Sequence, residues 1–200
     1  MDTFFLFLLV GVLAQAVDGA LGMAYGVISS SVLLALGVPP ATASASVHAA
    51  EVFTTAASAG SHAWHKNVEW RLLAPLGLVG GFLDAVGGGG WGPTVSSTMV
   101  GAGHEPRKAI GTVNTAEFFL TVAVSATFVW ALVSGHWEEA GALQNHAAAV
   151  GGLVVGGLIA APFAGLIVKK VPRKALTYAV GFLLLILAAF QGAQLLKLIG

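Results

Sequence analysis

The chain has 200 residues, of which 56% are hydrophobic and 9% are charged, and its formal net charge is zero. Soluble domains carry about 25% charged residues, so we expect an integral membrane protein that contacts membrane lipid. The chain has no basic tract that could bind nucleic acid, and its lack of cysteine excludes disulfides, thiolate metal sites and thiol catalysis. The first residues, Met1 to Thr3, lack the positive charge of a signal peptide, so we expect them to belong to the folded protein.

The first predicted element is a helical hairpin. An apolar segment at 4–17 is shorter than the roughly 20 residues of a spanning helix. A break at 18–22 separates it from a second short apolar segment at 23–36. This pattern predicts a re-entrant hairpin, because irregular backbone at membrane depth must lie inside protein or beside a water-filled cavity. Two short, tilted spans are the alternative.

A second hairpin and four longer apolar segments complete the chain. The second hairpin is predicted at 72–86 and 92–103, with Asp84 and a glycine-rich break at 87–91 between its limbs. The predicted spans cover 41–64, 108–134, 143–168 and 175–196. We therefore predict an all-α membrane protein, a polytopic helical bundle that forms one integral membrane domain.

The two hairpins, each with the start of the span after it, are copies of one another. Residues 18–55 and 84–121 align without a gap at an offset of 66, and 13 of the 38 positions are identical. The identical pairs include Asp18/Asp84, Pro40/Pro106 and Glu51/Glu117. Apolar bias alone would not match an aspartate, a proline and a glutamate, so we infer an internal duplication.

The positive residues predict the orientation. Eight of the nine Lys and Arg lie in three loops that fall on one face, whether or not the hairpins are re-entrant; these loops are 65–71, 104–108 and 169–174. The acidic loop with Glu138 and Glu139 falls on the opposite face, so the basic face is predicted to be cytoplasmic. The hairpins then enter from opposite faces. The copies, at 1–70 and 71–200, are therefore predicted to be inverted repeats, an architecture of secondary transporters.

Glu51 and Glu117 occupy equivalent positions in the two copies. Each lies 11 residues after the proline that begins its predicted spanning helix, which at 1.5 Å per residue is about 16 Å and near the bilayer centre. A carboxylate at that depth should face the bundle interior. Two interpretations stay open: a protonatable pair that couples proton uptake to anion movement, or protonated side chains that hydrogen-bond the other repeat and hold the hairpins in place.

The glycine-rich breaks predict an anion site. Helices that begin just after Gly22 and Gly90 would direct backbone N–H groups and a positive dipole end into the protein, although the glycines could instead only allow close helix packing. The aspartates of the breaks are expected to cap helices or bind backbone. The candidate substrate-binding residues are Gly22, Ser30, His48, Glu51, Gly88, Gly90, Trp91, Ser96, Asn114 and Glu117. The candidate structural residues are Asp18, Gly26, Pro40, Asp84, Gly92 and Pro106.

Two histidines could bind a metal. His62 and His65 lie three residues apart on one predicted helix face, and His48 or Glu51 could add a further ligand. No third histidine is near in sequence, so a hydrated pair at the membrane interface is the preferred interpretation. A transition-metal permease built on these four residues is one alternative to anion transport, and a non-transporting membrane scaffold is another. The chain has no HExxH, GxSxG or P-loop pattern, so we expect no enzyme, no ATP use and no cofactor.

The chain resembles the sulfite exporter TauE/SafE family of probable membrane transporters. The resemblance is carried by the doubled glycine-rich break, the G-x-x-P steps at 37–40 and 103–106, and the S/T-V-x-x-A-E runs at 46–51 and 112–117. It implies a transporter of sulfite, sulfonates or related small anions in a bacterial inner membrane, driven by an ion gradient. The motif residues carried over are Gly22, Gly26, Pro40, His48, Glu51, Gly88, Gly90, Gly92, Pro106, Asn114 and Glu117.

The first half departs from the family pattern. One predicted span follows its hairpin, whereas the family implies a complete half, so about two helices are missing between Trp70 and Gly80. The sequence RLLAPLGLVGG at this junction could begin either the next helix of the first half or the second hairpin. Either a second subunit fills the gap, as a homodimer, or the shortened form transports poorly.

Overall fold

A computed structural model of the chain describes residues 3–22, 24–87, 91–136 and 147–172, and nine further residues between 174 and 193. In this part of the chain the regular structure is helical, and no strand is present. The α-helices are α1 (Thr3–Leu21), α2 (Tyr25–Ala35), α3 (Pro40–Trp64), α4 (Leu73–Gly87), α5 (Trp91–Gly101), α6 (Pro106–Val133), α7 (Ala147–Ala160) and α8 (Ala164–Lys170). Short 3-10 turns, Trp70–Leu72 and Ala161–Phe163, precede α4 and α8.

Three helical segments are long and apolar enough to cross a membrane: α1 with 19 residues, α6 with 28, and the run Ala147–Lys170 with 24. The prediction of a helical membrane protein agrees with these lengths and compositions. Two predictions lie outside the described residues: the acidic pair Glu138 and Glu139, and most of the span at 175–196.

The first limb of the first hairpin is longer than the sequence predicted. The apolar segment was expected to end at Val17, but α1 continues to Leu21 and includes Asp18. A buried aspartate does not end the helix here, because its carboxylate has partners on α2 and α6. The described residues of the break are therefore Gly22, with a φ of 68°, and Ala24, with a φ of 93°.

Helix α3 lies in the middle of the bundle and packs against α2, α6, α7 and α8. It begins at Pro40, as α6 begins at Pro106, and both starts agree with the prediction, since proline is well suited to a first helical turn. Six of its polar residues recur every three or four positions and so lie on one face. They are Ser44, His48, Glu51, Thr55, Ser58 and His62. A helix enclosed by other helices can carry such a face, since little of it has to meet lipid.

Each copy of the duplicated segment forms its own apolar core. In the first core the α2 residues Tyr25 and Leu33 pack with alanines and a valine of α3. In the second core Trp91 and Met99 of α5 pack with the corresponding residues of α6. At the offset of 66, the equivalent core positions are 25/91, 33/99, 43/109, 47/113 and 50/116. The duplicated sequence thus packs in the same way twice.

Glycines bring α1 and α7 into close contact. A Cβ atom added at Gly11 would lie 2.6 Å from the carbonyl oxygen of Leu153, and one added at Gly156 would overlap the carbonyl oxygen of Leu8. Gly152, four residues before Gly156, is in similar contact with α1. This is the small-residue spacing that lets membrane helices approach closely.

Candidate functional site

A small closed chamber lies at the centre of the bundle, between α2, α3, α4, α5 and α6. Its volume is about 10 Å³, enough for about one water molecule. The chamber is lined by Gly26, Ser30, Val47, His48, Glu51, Asp84, Trp91, Glu117, Leu120 and Thr121. Seven of these ten residues are among the sixteen sequence-predicted candidates, so most of the chamber's lining was predicted, although fewer than half of the candidates lie in it.

The two glutamates face the same chamber from α3 and α6. Glu51 is 3% exposed and Glu117 is 7% exposed, which confirms that both point into the bundle. Within the described part of the chain, Oε2 of Glu117 has no hydrogen-bond partner. A buried carboxylate without partners is costly when ionised. This pair is therefore suited to exchange protons with a water or a solute in the chamber.

His48 and Asp84 form a buried pair across α3 and α4. Nε2 of His48 lies 3.2 Å from Oδ2 of Asp84, and Nδ1 lies 2.8 Å from the backbone oxygen of Ser44. Because a carbonyl can only accept, we assign a proton to Nδ1. A hydrogen bond between Nε2 and the carboxyl group then requires one further proton, held by either group. The pair is a second place where the chamber can store a proton.

Asn114 and Asp18 form the corresponding pair between α6 and α1. The amide of Asn114 donates to Oδ2 and to the backbone oxygen of Asp18, both at 3.1 Å. Its oxygen accepts a hydrogen bond of 2.5 Å from Ser58. Oδ1 of Asp18 accepts the backbone N–H of Tyr25 at 3.4 Å, which is the backbone-binding geometry expected for the aspartates.

These two pairs are equivalent in the duplicated sequence. At the offset of 66, Asn114 corresponds to His48 and Asp18 corresponds to Asp84. Each copy therefore makes the same contact to the other copy, once with a titratable histidine and once with an amide. Thr55 and Thr121, also equivalent, bring their hydroxyl oxygens to 3.5 Å of each other near the middle of α3 and α6.

The candidates at the first glycine break do not converge on the chamber. The backbone oxygen of Gly22 accepts a hydrogen bond of 2.5 Å from Ser96, and the first backbone N–H of α2 is bound by Asp18. Asp18 and Ser96 thus bind backbone groups at this break, and the anion site stays a prediction. Gly92 lies buried in α5. Gly88 and Gly90 lie outside the described residues.

The prediction of a hydrated histidine pair is wrong for His62. Its side chain is fully buried, with Nε2 3.1 Å from the backbone oxygen of Gly19 and Nδ1 3.4 Å from the amide nitrogen of Asn67. His62 is buried because α1 and residues around Gly165 pack over this end of α3. Among the described residues, no three His, Cys, Asp or Glu side chains are grouped so that they could hold a metal ion.

Sequence reasoning missed an open groove between α3, α4 and α6. It has a volume of about 450 Å³ and is lined by Ser44, Gly81, Asp84, Val124, Thr127, Phe128 and Ala131. Thr55 and Ser58, which join the two copies at the centre, were also missed. The three-to-four-residue spacing of polar side chains along α3 was a signal that could have found them.

Comparisons with known proteins find sequence similarity to membrane transporters. The sequence model of the family "Sulfite exporter TauE/SafE" matches two segments, residues 7–80 and 72–190. The probable membrane transporter protein YtnM of Bacillus subtilis (strain 168) is 34% identical over 253 residues, which cover 93% of this chain and 82% of that protein. No solved structure matches the chain significantly.

Proposed function

The chain belongs to the sulfite exporter TauE/SafE family of membrane transporters, and from this we propose that it is a secondary transporter of small sulfur-containing anions. The proposed substrates are sulfite or a sulfonate, moved together with protons across a bacterial inner membrane. The glutamates and the His48–Asp84 pair are the proposed proton-carrying groups.

This proposal rests on one observation. Equivalent residues of the two copies make the same contact, once from the first copy to the second and once from the second copy to the first. When a contact occurs twice, with the roles of the two copies exchanged, it indicates that the copies are related by a twofold axis, as the subunits of symmetric dimers are. The His48–Asp84 and Asn114–Asp18 pairs have this relation. With the orientation predicted from the basic loops, it supports two inverted repeats that meet at a central site, as in secondary transporters.

Proton coupling follows from the charges around the chamber. Of the described residues that line it, three carry carboxyl groups and none is Lys or Arg. Two like unit charges about 5 Å apart repel by about 3 kcal/mol at an effective dielectric constant of ~20. An anion would therefore enter only when carboxyl groups take up protons, which removes negative charge and adds O–H donors. We propose that this requirement links anion movement to proton movement.

The comparisons also support the interpretation that the first half is shortened. The two family matches share residues 72–80, which is the junction that could belong to either half. The alignment with YtnM is longer than this chain, and since 93% of 200 residues is about 186, about 67 of its 253 positions have no counterpart here. About two helices with their loops would account for that number.

The test is sulfite flux into proteoliposomes with an imposed pH gradient, with the Glu117→Gln variant measured alongside. We expect saturable flux that follows the gradient in the native protein. The variant should lose most of the gradient-driven flux, because the amide cannot release a proton, while its thermal stability stays close to that of the native protein. Gradient-independent flux that is unchanged in Glu117→Gln would refute proton coupling and leave a transporter. No flux of sulfite, taurine or sulfoacetate from monodisperse protein would favour a non-transporting scaffold.

A further inference from the structure

The open groove is connected to the central chamber through one residue pair. Asp84 lines both the groove and the chamber, and His48, its partner, lines the chamber. Their hydrogen bond therefore lies at the boundary between the two spaces. The groove, at about 450 Å³, can hold a small solute, whereas the chamber, at about 10 Å³, has room for a water molecule.

The duplication assigns each wall of the groove a counterpart in the other copy. The equivalent helices α3 and α6 continue beyond the aligned segments, so the offset of 66 can be carried along them. The counterparts of Ser44, Asp84, Thr127, Phe128 and Ala131 are then Ile110, Asp18, Ser61, His62 and His65. At three of these counterpart positions, Ser61, His62 and Ile110, the chain packs against its own residues 161–168, the segment that we call the plug. The equivalent of the open groove is thus filled from within the same chain.

Specific contacts hold the plug in place. The hydroxyl of Ser61 donates to the backbone oxygen of Pro162 at 2.6 Å and accepts the backbone N–H of Gly165 at 2.9 Å. The side chain of Val168 packs against Ile110 in a small apolar core. A Cβ atom at Gly165 would overlap the backbone of Ser61, so the plug lies directly against α3.

The groove and the plug lie at opposite ends of α3. Ser44, in the groove, and Ser61, under the plug, are 17 residues apart, which is about 25 Å along a helix. Glu51, which faces the chamber, lies between them. By the predicted orientation, the Ser61 end is cytoplasmic and the Ser44 end faces the other side of the membrane.

We propose that the open groove is an aqueous vestibule, through which small polar solutes and protons reach the chamber past the His48–Asp84 pair, and that the plug closes the equivalent route from the opposite face. This inference deepens the proposed function and rests on it for the identity of the two faces. The two grooves differ because the helices that would plug the open groove are the ones missing after Trp70.

Most of the groove's lining is apolar, from Gly81, Val124, Phe128 and Ala131, so only the polar groups at its walls and inner end favour water over lipid. Ser44 and Thr127 place hydroxyl groups in its walls, and Asp84 places a carboxyl group at its inner end. A carboxyl group beside lipid tails is expensive. The titratable groups that face the His48–Asp84 pair are Glu51 and Glu117 across the chamber. Asp18 on α1 lies close enough to act electrostatically on both glutamates.

The natural absence of cysteine allows a direct test of access. Thr127→Cys places a thiol in the groove, and Ser61→Cys, at the equivalent position, places one under the plug. In membrane vesicles, a charged, membrane-impermeant methanethiosulfonate should modify Thr127→Cys from the face opposite the basic loops. The same reagent, supplied on the face of the basic loops, should modify Ser61→Cys at least about tenfold more slowly, because a buried site reacts only when it opens.

Three results would overturn the vestibule. Modification of Thr127→Cys by a lipid-soluble maleimide but not by the charged reagent would mean that lipid fills the groove. Protection from both reagents that is lost when the protein is diluted to monomers in detergent would mean that a second copy covers it. Equal rates for Thr127→Cys and Ser61→Cys would contradict the plug.

The His48→Asn variant tests the pair as the connection between the vestibule and the chamber. It installs the amide that the other copy uses at this position, so we expect labelling of Thr127→Cys to be unchanged. Proton uptake into vesicles, followed with an entrapped pH dye, should fall at least about tenfold. Unchanged proton uptake would exclude the pair as the proton route. Labelling does not depend on sulfite flux, so a failure of the vestibule and a failure of the proposed substrate are distinguishable.

Discussion

Replacing Asn114 with alanine removes the contact that fixes α6 to α1 at the centre of the bundle. The fully buried amide makes three hydrogen bonds, two to Asp18 and one from Ser58. Interhelical hydrogen bonds in membrane proteins contribute about 0.6 to 1.7 kcal/mol each, so the expected loss of unfolding free energy is about 2–5 kcal/mol. For a chain of this size a loss of 1 kcal/mol lowers Tm by about 2–4 °C.

We therefore expect Asn114→Ala to lower Tm by about 4–20 °C, measured by tryptophan fluorescence of the purified protein in detergent. The equivalent variant, His48→Ala, should cost less than half as much. It removes one bond to Asp84, and water from the adjoining groove can replace that bond. Asn114→Asp, which keeps the side chain's shape but removes both donors to Asp18, should be at least as unstable as Asn114→Ala.

This reasoning would be refuted if His48→Ala lowered Tm as much as Asn114→Ala. Equal decreases in Tm would mean that both pairs are excluded from water to the same extent, so that water from the groove does not reach Asp84. A native-like Tm for Asn114→Asp would instead show that the donors of the amide are not what stabilises the contact.

Two further predictions follow from the packing. Thr55→Cys combined with Thr121→Cys should form an intramolecular disulfide with a mild oxidant, since the native hydroxyl oxygens are 3.5 Å apart; the bond is read as a mobility shift on a non-reducing gel. Gly156→Leu should strongly reduce the yield of folded protein in size-exclusion chromatography, because its side chain would overlap the carbonyl oxygen of Leu8 and force α7 away from α1.

Each of these predictions has a matched control. Pairing Thr55→Cys with a cysteine at the exposed Phe119 should give no disulfide, because Phe119 points away from α3; cross-linking of both pairs alike would report nonspecific oxidation. Gly77→Leu should leave the yield unchanged, since a Cβ there meets no described atom within 4 Å. A native-like yield for Gly156→Leu would contradict the close α1–α7 packing.

Part of the site could be predicted from the sequence because each motif of the duplicated segment occurs twice. Glu51 and Glu117 were placed inside the bundle from their equal spacing to Pro40 and Pro106, and both are buried. The roles assigned to these glutamates stay predictions. Ser96 and Asn114 were expected at an anion site, but they bond to Gly22 and Asp18. Such pairings join residues far apart in the chain, and no local pattern specifies them.

The lipid environment, the duplication and the helix starts could be predicted from the sequence alone, because hydropathy, repeated motifs and proline positions act locally along the chain. The continuation of α1 through Asp18, the burial of His62 and the groove at Ser44 became visible in the folded chain. Each of these depends on which helix covers a given face. The plug over Ser61 comes from residues about 100 positions away in the chain, and no such segment covers Ser44 in the part of the chain that the structure describes.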